Sequence, residues 1–333
     1  MLSEYVLPFS EKPLIACYHN MAFPMGIIEG NASVFNKDIT PWAIAKFLNV
    51  IFIDAPNSNS YDICLFDKWG TNDGILFHQY INMFKSIYGK LQINIIKYLS
   101  ELIKSGCYIT GAYNERYIPG KMVYQQADFL HDYILYGVNE NRKIFYSAGY
   151  LKDKRYRSYE ISFSDFINSI YNTSNDRIQF GFWTYNKEYE YEFNRERIRG
   201  ELDEYIKSTT SHNFRKDVFY GVEANRKLKE FFLYCINNYD TPIIDLRYSR
   251  AYMEHKNIFF RCIKYLFEAQ HVSFKQSDIL MANEMYQNAI MIHRLGIKMN
   301  ISKNYKIIEQ ITDLFEKNQE YECEIIMDVL GAL

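Results

Sequence analysis

Leu130-His131-Asp132-Tyr133-Ile134-Leu135-Tyr136-Gly137-Val138-Asn139 is the stretch on which the fold turns: an apolar run headed by a histidine and ending in turn residues. Its aromatic and branched residues read as a strand. Ile144-Phe145-Tyr146 answers it across polar Asn139-Glu140-Asn141-Arg142, which predicts a β-hairpin with a four-residue connection. Far upstream lies Pro13-Leu14-Ile15-Ala16-Cys17-Tyr18-His19-Asn20, where an apolar run gives way to the first turn of a helix. The partial positive charge of a helix N-terminus, with a nearby imidazolium, favours a thiolate there.

A cysteine at a helix start, with a histidine on a strand far downstream, resembles the papain-like cysteine enzymes. Cys17 and the hairpin at 130–139 are most similar to the double-glycine leader peptidases and to the N-terminal domain of the butirosin biosynthesis protein H family, including the closthioamide-type amide-forming homologues. The resemblance covers about the first half of the chain. It implies an α+β papain-like fold, with Cys17 on the N-terminal helix and His131 on an antiparallel sheet. It also implies an acyltransferase that moves an acyl group from a carrier-protein thioester, through a Cys17 acyl-enzyme, to a small amine. The chain itself is then expected to hold no cofactor or metal, the 4'-phosphopantetheine belonging to the donor carrier protein.

Two positions depart from that pattern. The third member of such a triad is an Asp or Asn on the return strand, where this chain has Ser147. Hairpin pairing reaches the same place, since a turn at 139–142 puts the residues facing His131 at 147–150. Asn139 lies most of a strand away at ~3.3 Å per residue, and Asp132 points to the opposite face. The expectation is a Cys17–His131 dyad oriented by Ser147, a water or a backbone carbonyl. Where papain relatives carry a Gln before the cysteine, this chain has Glu11, so the backbone N–H of Cys17 is expected to carry more of the oxyanion stabilisation.

Plainer readings stand beside these. A cysteine among apolar residues is usually a small buried hydrophobe, and Cys64, Cys107, Cys235, Cys262 and Cys323 read that way. Cys17 is set apart by polar His19-Asn20 and Pro24, which suit a short exposed helix start. His131 alone would be a strand-end histidine, and only the pairing with Cys17 favours catalysis. His19 reads as a pocket or surface residue, because positions i and i+2 of a helix face different ways.

Composition narrows the class. Hydrophobic residues make up 48% of 333, enough for a sizeable core. A net charge of −2, with both signs spread along the chain, marks no nucleic-acid surface. No apolar run approaches the ~20 residues of a membrane span, and the N-terminus lacks a basic signal head. A cytoplasmic setting is expected. Six cysteines without a CxxC pair exclude the usual zinc and disulfide patterns. The 30 Tyr and 24 Phe fit an AT-rich genome or a substrate groove, and composition does not separate the two.

Organisation changes near 215, giving a catalytic region over 1–215 and a helical region over 216–333. Helices are expected at 41–48, 74–88 and 92–105, and strands at 107–113 and 178–185. Ser162 or Ser164 is expected to cap a short helix. Further helices read at 195–207, 222–237, 246–270, 275–299 and 305–330. In the 275–299 segment an apolar stripe is assigned to Leu280, Tyr286, Ile290 and His293. His255, His271 and His293 lack metal spacing, and 237–242 reads as a turn. Water as acceptor would make the protein a peptidase or amidase instead, and the absent acid also admits a non-catalytic partner on a degenerate papain fold.

Overall fold

The computed structural model describes residues 4–55, 60–66, 74–90, 94–210, 216–238, 243–269 and 275–333. The Cys64 side chain, His271 and the 239–242 part of the expected turn lie outside the described residues. The chain forms two compact units, neither continuous in sequence: 1–37 with 71–189, and 38–70 with 190–333. The single boundary expected at 215 is thus replaced by an interleaved division. A long-range strand pairing in the second unit is the reason.

The first unit is α+β, built on a seven-stranded antiparallel sheet. Its strands are β1 (Glu4–Val6), β4 (Leu76–Phe84), β5 (Tyr108–Asn114), β6 (Leu130–Asn139), β7 (Ile144–Tyr150), β8 (Tyr156–Ser162) and β9 (Arg177–Tyr185). The order is β4-β9-β5-β6-β7-β8, with β1 paired to β6. Strand β6 pairs with β5 over its first half and with β1 at its end. The β6–β7 hairpin turns where Asn139 Oδ1 accepts from the Arg142 N–H at 3.0 Å. A bulge at Tyr136 then shifts the register, so that Leu135 faces Ser147 and Ile134 faces Ala148. Gly137 lies where a side chain would collide with the β1 backbone at Tyr5 and Val6.

Helix α1 (His19–Val34) is buried along most of its length, as a central helix must be. Gly26 and Gly30 leave room for Phe9 to lie directly on it, and the Ser10 N–H bonds the Gly26 carbonyl at 2.8 Å. This contact sets the course of the chain toward Cys17. Helices α4 (Ile95–Lys104) and α5 (Phe163–Tyr171) start at Asn94 and Ser162, whose side chains accept from backbone N–H groups. Phe166 of α5 meets the ring of Tyr133 edge-on at 5.3 Å, and Tyr133 stacks on Tyr113 at 5.2 Å. Such pairs add about 0.5–1.5 kcal/mol each beyond their burial.

The helix expected at 74–88 is instead β4 followed by the short α3 (Lys85–Lys90). Nine-residue pairing with β9 overrides local preference there, and Gly181 of β9 admits His78 and Tyr80 closely.

The second unit pairs β2 (Asn49–Ala55) with both β3 (Ser60–Phe66) and β10 (Val218–Tyr220). That pairing brings 38–70 to the helices. These are α2 (Thr40–Phe47), α6 (Arg195–Ile206), α7 (Gly221–Asn238), α8 (Leu246–Glu268), α9 (Gln276–Ser302) and α10 (Ile307–Ala332). On α9 the buried stripe is Ala282, Met285, Ala289, Ile292 and Met299. Leu280 is exposed, so the stripe expected through it lies on the neighbouring face. Lys256 and Glu322 form an ion pair with both side chains fully enclosed. Glu322 also accepts from Tyr205 Oη at 2.7 Å and from Asn225 Nδ2 at 3.2 Å. No helix among the described residues is long and apolar enough to cross a membrane.

Candidate functional site

Asn114 ends β5 and shapes the turn after it. Its Oδ1 accepts from the backbone N–H groups of Arg116 and Phe129, and its Nδ2 donates to Asp128 Oδ1 and the Asn172 carbonyl. The chain is thereby turned into a single 3₁₀ turn, Glu115–Tyr117. Tyr113 is the partner of His131 across the β5–β6 ladder, so Glu115 comes two residues beyond that partner. Its carboxylate reaches the imidazole, with Glu115 Oε1 2.7 Å from His131 Nδ1. The remaining ring nitrogen of His131 is left for other work.

Glu115 is buried and shared with a second cation. Lys121, only 2% exposed, places Nζ 3.3 Å from Glu115 Oε1 and donates to the Tyr150 carbonyl at 2.9 Å. The same ammonium lies 4.8 Å from the centre of the Tyr159 ring. Burial pushes the Glu115 carboxyl up, but the hydrogen bond from His131 and the charge of Lys121 outweigh it and hold the group below the ordinary carboxylate value. The acid is therefore ionised, as an orienting group for imidazole must be.

The Cys17 segment is tied to β7. Tyr150 Oη of β7 donates to the Ala16 carbonyl. Two residues after Cys17, His19 opens α1 with its ring 4.5 Å from that of His131, 4.8 Å from Phe23 and 5.6 Å from Tyr150. Gly149 makes this possible, since a side chain there would crowd both His19 Nε2 and Lys121 Nζ. Cys17 is 1% exposed, so the short exposed helix start expected there is in fact an enclosed approach to a long buried helix. The His131 side chain is 36% exposed and marks the open edge.

His19 is buried, and neither ring nitrogen has a hydrogen-bond partner among the described residues. Burial, then the charges of His131 and Lys121, push its pKa well below the ordinary imidazole value. The ring is neutral at physiological pH. An unpaired buried polar group costs about 1–3 kcal/mol, which makes this one notable.

Ser147 does not belong to the constellation. It is buried on β7 opposite Leu135, with its hydroxyl unpartnered, and the bulge at Tyr136 contributes to that offset. The residue bonded to His131 is instead Glu115, from the turn that follows β5, the strand on the other side of β6. Asn139 caps the hairpin turn, away from the site. Glu11 is exposed. No group of three or more His, Cys, Asp or Glu among the described residues is arranged to hold a metal ion.

The signal for Glu115 was present in the sequence as a polar Asn114-Glu115 at the end of an apolar strand. Reading it required the pairing of β5 with β6, which hairpin logic does not supply. The site thus holds an imidazole bonded to a buried carboxylate, a second, buried imidazole packed against it and, two residues before that one in the chain, a buried thiol. No family model matches this chain, and comparison with curated proteins finds no significant similarity.

Proposed function

We propose that the protein is a papain-like, cysteine-dependent acyltransferase that forms an amide from a carrier-protein thioester and a small amine. The observation that carries this reading is the 2.7 Å contact between His131 Nδ1 and Glu115 Oε1, with His19, two residues after Cys17, packed against the same imidazole. His131 takes the Cys17 thiol proton, the thiolate attacks the thioester carbonyl carbon, and the carbonyl π pair moves to oxygen. Collapse breaks the bond to the pantetheine sulfur, which leaves with a proton from His131. In the second half, His131 takes a proton from the incoming amine as nitrogen attacks the Cys17 acyl-enzyme, and the Cys17 thiolate departs.

The enclosure of Cys17 favours the amine over water as acceptor, because an acyl-enzyme in a water-poor site survives until a bound nucleophile reaches it. Incubation with an acyl carrier-protein donor followed by intact-mass measurement tests the reading. An acyl adduct on Cys17, absent from Cys17→Ala and discharged faster by a diamine than by buffer, is expected. Discharge by water at a comparable rate would make the protein a peptidase-like hydrolase or thioesterase. An adduct on another cysteine, or none at all, would leave the site without this chemistry.

A further inference from the structure

We infer that His19 is the side-chain donor of the oxyanion hole, placing a neutral imidazole N–H on the oxygen that becomes negative when Cys17 attacks an acyl carbonyl. The inference rests on the acyl-transfer reading and deepens it. Three observations converge on His19.

The first is backbone geometry. Tyr18 has φ −133° and ψ 143°, an extended conformation, and α1 begins only at His19. Cys17 thus lies outside the helix, and helical i, i+2 geometry does not govern its relation to His19.

The second is satisfaction. Both His19 nitrogens are buried without partners among the described residues, while its charged neighbours are engaged: Glu115 with His131 and Lys121, and Lys121 with the Tyr150 carbonyl. A buried donor left unused beside a nucleophile is positioned for a ligand that arrives with the substrate. Rings on several sides hold it in place, with Phe23, Tyr150, Tyr156 and His131 all within 6.3 Å centre to centre.

The third is charge. Burial first, then the charges of His131 and Lys121, disfavour a proton on His19, keeping it a neutral donor distinct from the imidazolium that forms on His131. Two imidazoles in contact thereby divide the work. His131, on its carboxylate, moves protons, whereas His19 stabilises charge. This also answers the Glu11 position, where a glutamine would have served and an exposed carboxylate does not.

The test compares two reactions at one sulfur in the full-length protein. Alkylation by iodoacetamide requires the Cys17 thiolate but develops no oxyanion. Acylation by S-acetyl- or S-benzoyl-N-acetylcysteamine requires both. In His19→Phe, which keeps the ring stack, single-turnover acylation should fall by ~10²–10³, while Cys17 alkylation changes only about two- to threefold, the ring contact with His131 being kept. His19→Gln, which restores a neutral N–H, should recover part of the acylation rate, and this variant serves equally if His19→Phe does not fold. Parallel loss of alkylation and acylation would make His19 a base for the thiol and overturn the assignment. So would unchanged acylation, or a glutamine variant no better than phenylalanine. Absence of a wild-type adduct removes the acyl-transfer reading along with this one, whereas a wild-type adduct indifferent to His19 removes only this one.

Discussion

Glu115 holds His131 from the turn that follows β5, with Oε1 2.7 Å from Nδ1, and not from the return strand of the hairpin. An orienting carboxylate fixes the tautomer and stabilises the imidazolium. Glu115→Gln should therefore slow acylation of Cys17 by ~10²–10⁴ at neutral pH. The same change leaves the buried Lys121 without its counter-charge, so stability should also fall. Glu115→Gln with Lys121→Met removes that second effect: thermal melts should recover toward wild type while acylation stays slow. Recovery of both together would reduce Glu115 to a structural role.

Ser147→Ala and Asn139→Ala should both leave the acylation rate within about twofold of wild type. Ser147 faces Leu135, four residues from His131 along β6, or roughly 13 Å at ~3.3 Å per residue. Its unpartnered hydroxyl contributes nothing that alanine lacks, so the melting temperature should change little. Asn139 differs in stability alone, since losing its bond to the Arg142 N–H should cost about 1 kcal/mol. A kinetic defect in Ser147→Ala comparable with that of His131→Ala would contradict the β6–β7 register.

The hairpin, its turn and the five long C-terminal helices were legible because each is a local pattern: apolar runs with turn residues between them, or apolar residues at helical spacing. Asn94, Ser162, Asn194 and Asp245 begin their helices as sequence rules predict. What escaped was set by pairing between distant segments. Strand β4 reads as helix because its partner, β9, lies far downstream. The 38–70 segment joins the helical unit through β10, a three-residue strand too short to announce itself. Local pattern points to Ser147 because it offers the hairpin as the one frame for His131. The bulge at Tyr136 and the β5 ladder, neither visible in the hairpin pattern, move the acid to the other neighbour.

Acidification should destabilise the protein in two separable stages. Burial holds His19 and His255 well below the ordinary imidazole value, and it pushes His293 down to about 4, with Arg250 adding to the effect. Such groups bind more protons unfolded than folded once the pH drops below ~6.5, so stability present above that value is lost as pH falls. For His293 the loss continues to about 4. Glu115, Glu223 and Glu284, whose folded pKa values are lowered, add their losses only below the ordinary carboxylate range. Calorimetry from pH 8 to pH 4 should show a plateau, then a decline beginning near ~6.5. His293→Gln should make that first decline shallower. A melting temperature that stays level down to about pH 5 would show that these imidazoles are charged in the folded state.

Lys256→Met should destabilise the second unit by about 3–5 kcal/mol, because it strands the Glu322 carboxylate in the interior. Glu322 would retain Tyr205 and Asn225 as donors, but neutral hydrogen bonds do not replace a cation in contact. The double variant Lys256→Met, Glu322→Gln should regain most of the loss, since it removes both charges and leaves an amide that Tyr205 and Asn225 can still engage. Burying an ion pair confers little net stability, whereas breaking one exposes its full desolvation cost. Urea titration of the single and double variants measures this directly. A double variant as unstable as the single would mean that the pair itself, and not the orphaned charge, holds α8 to α10.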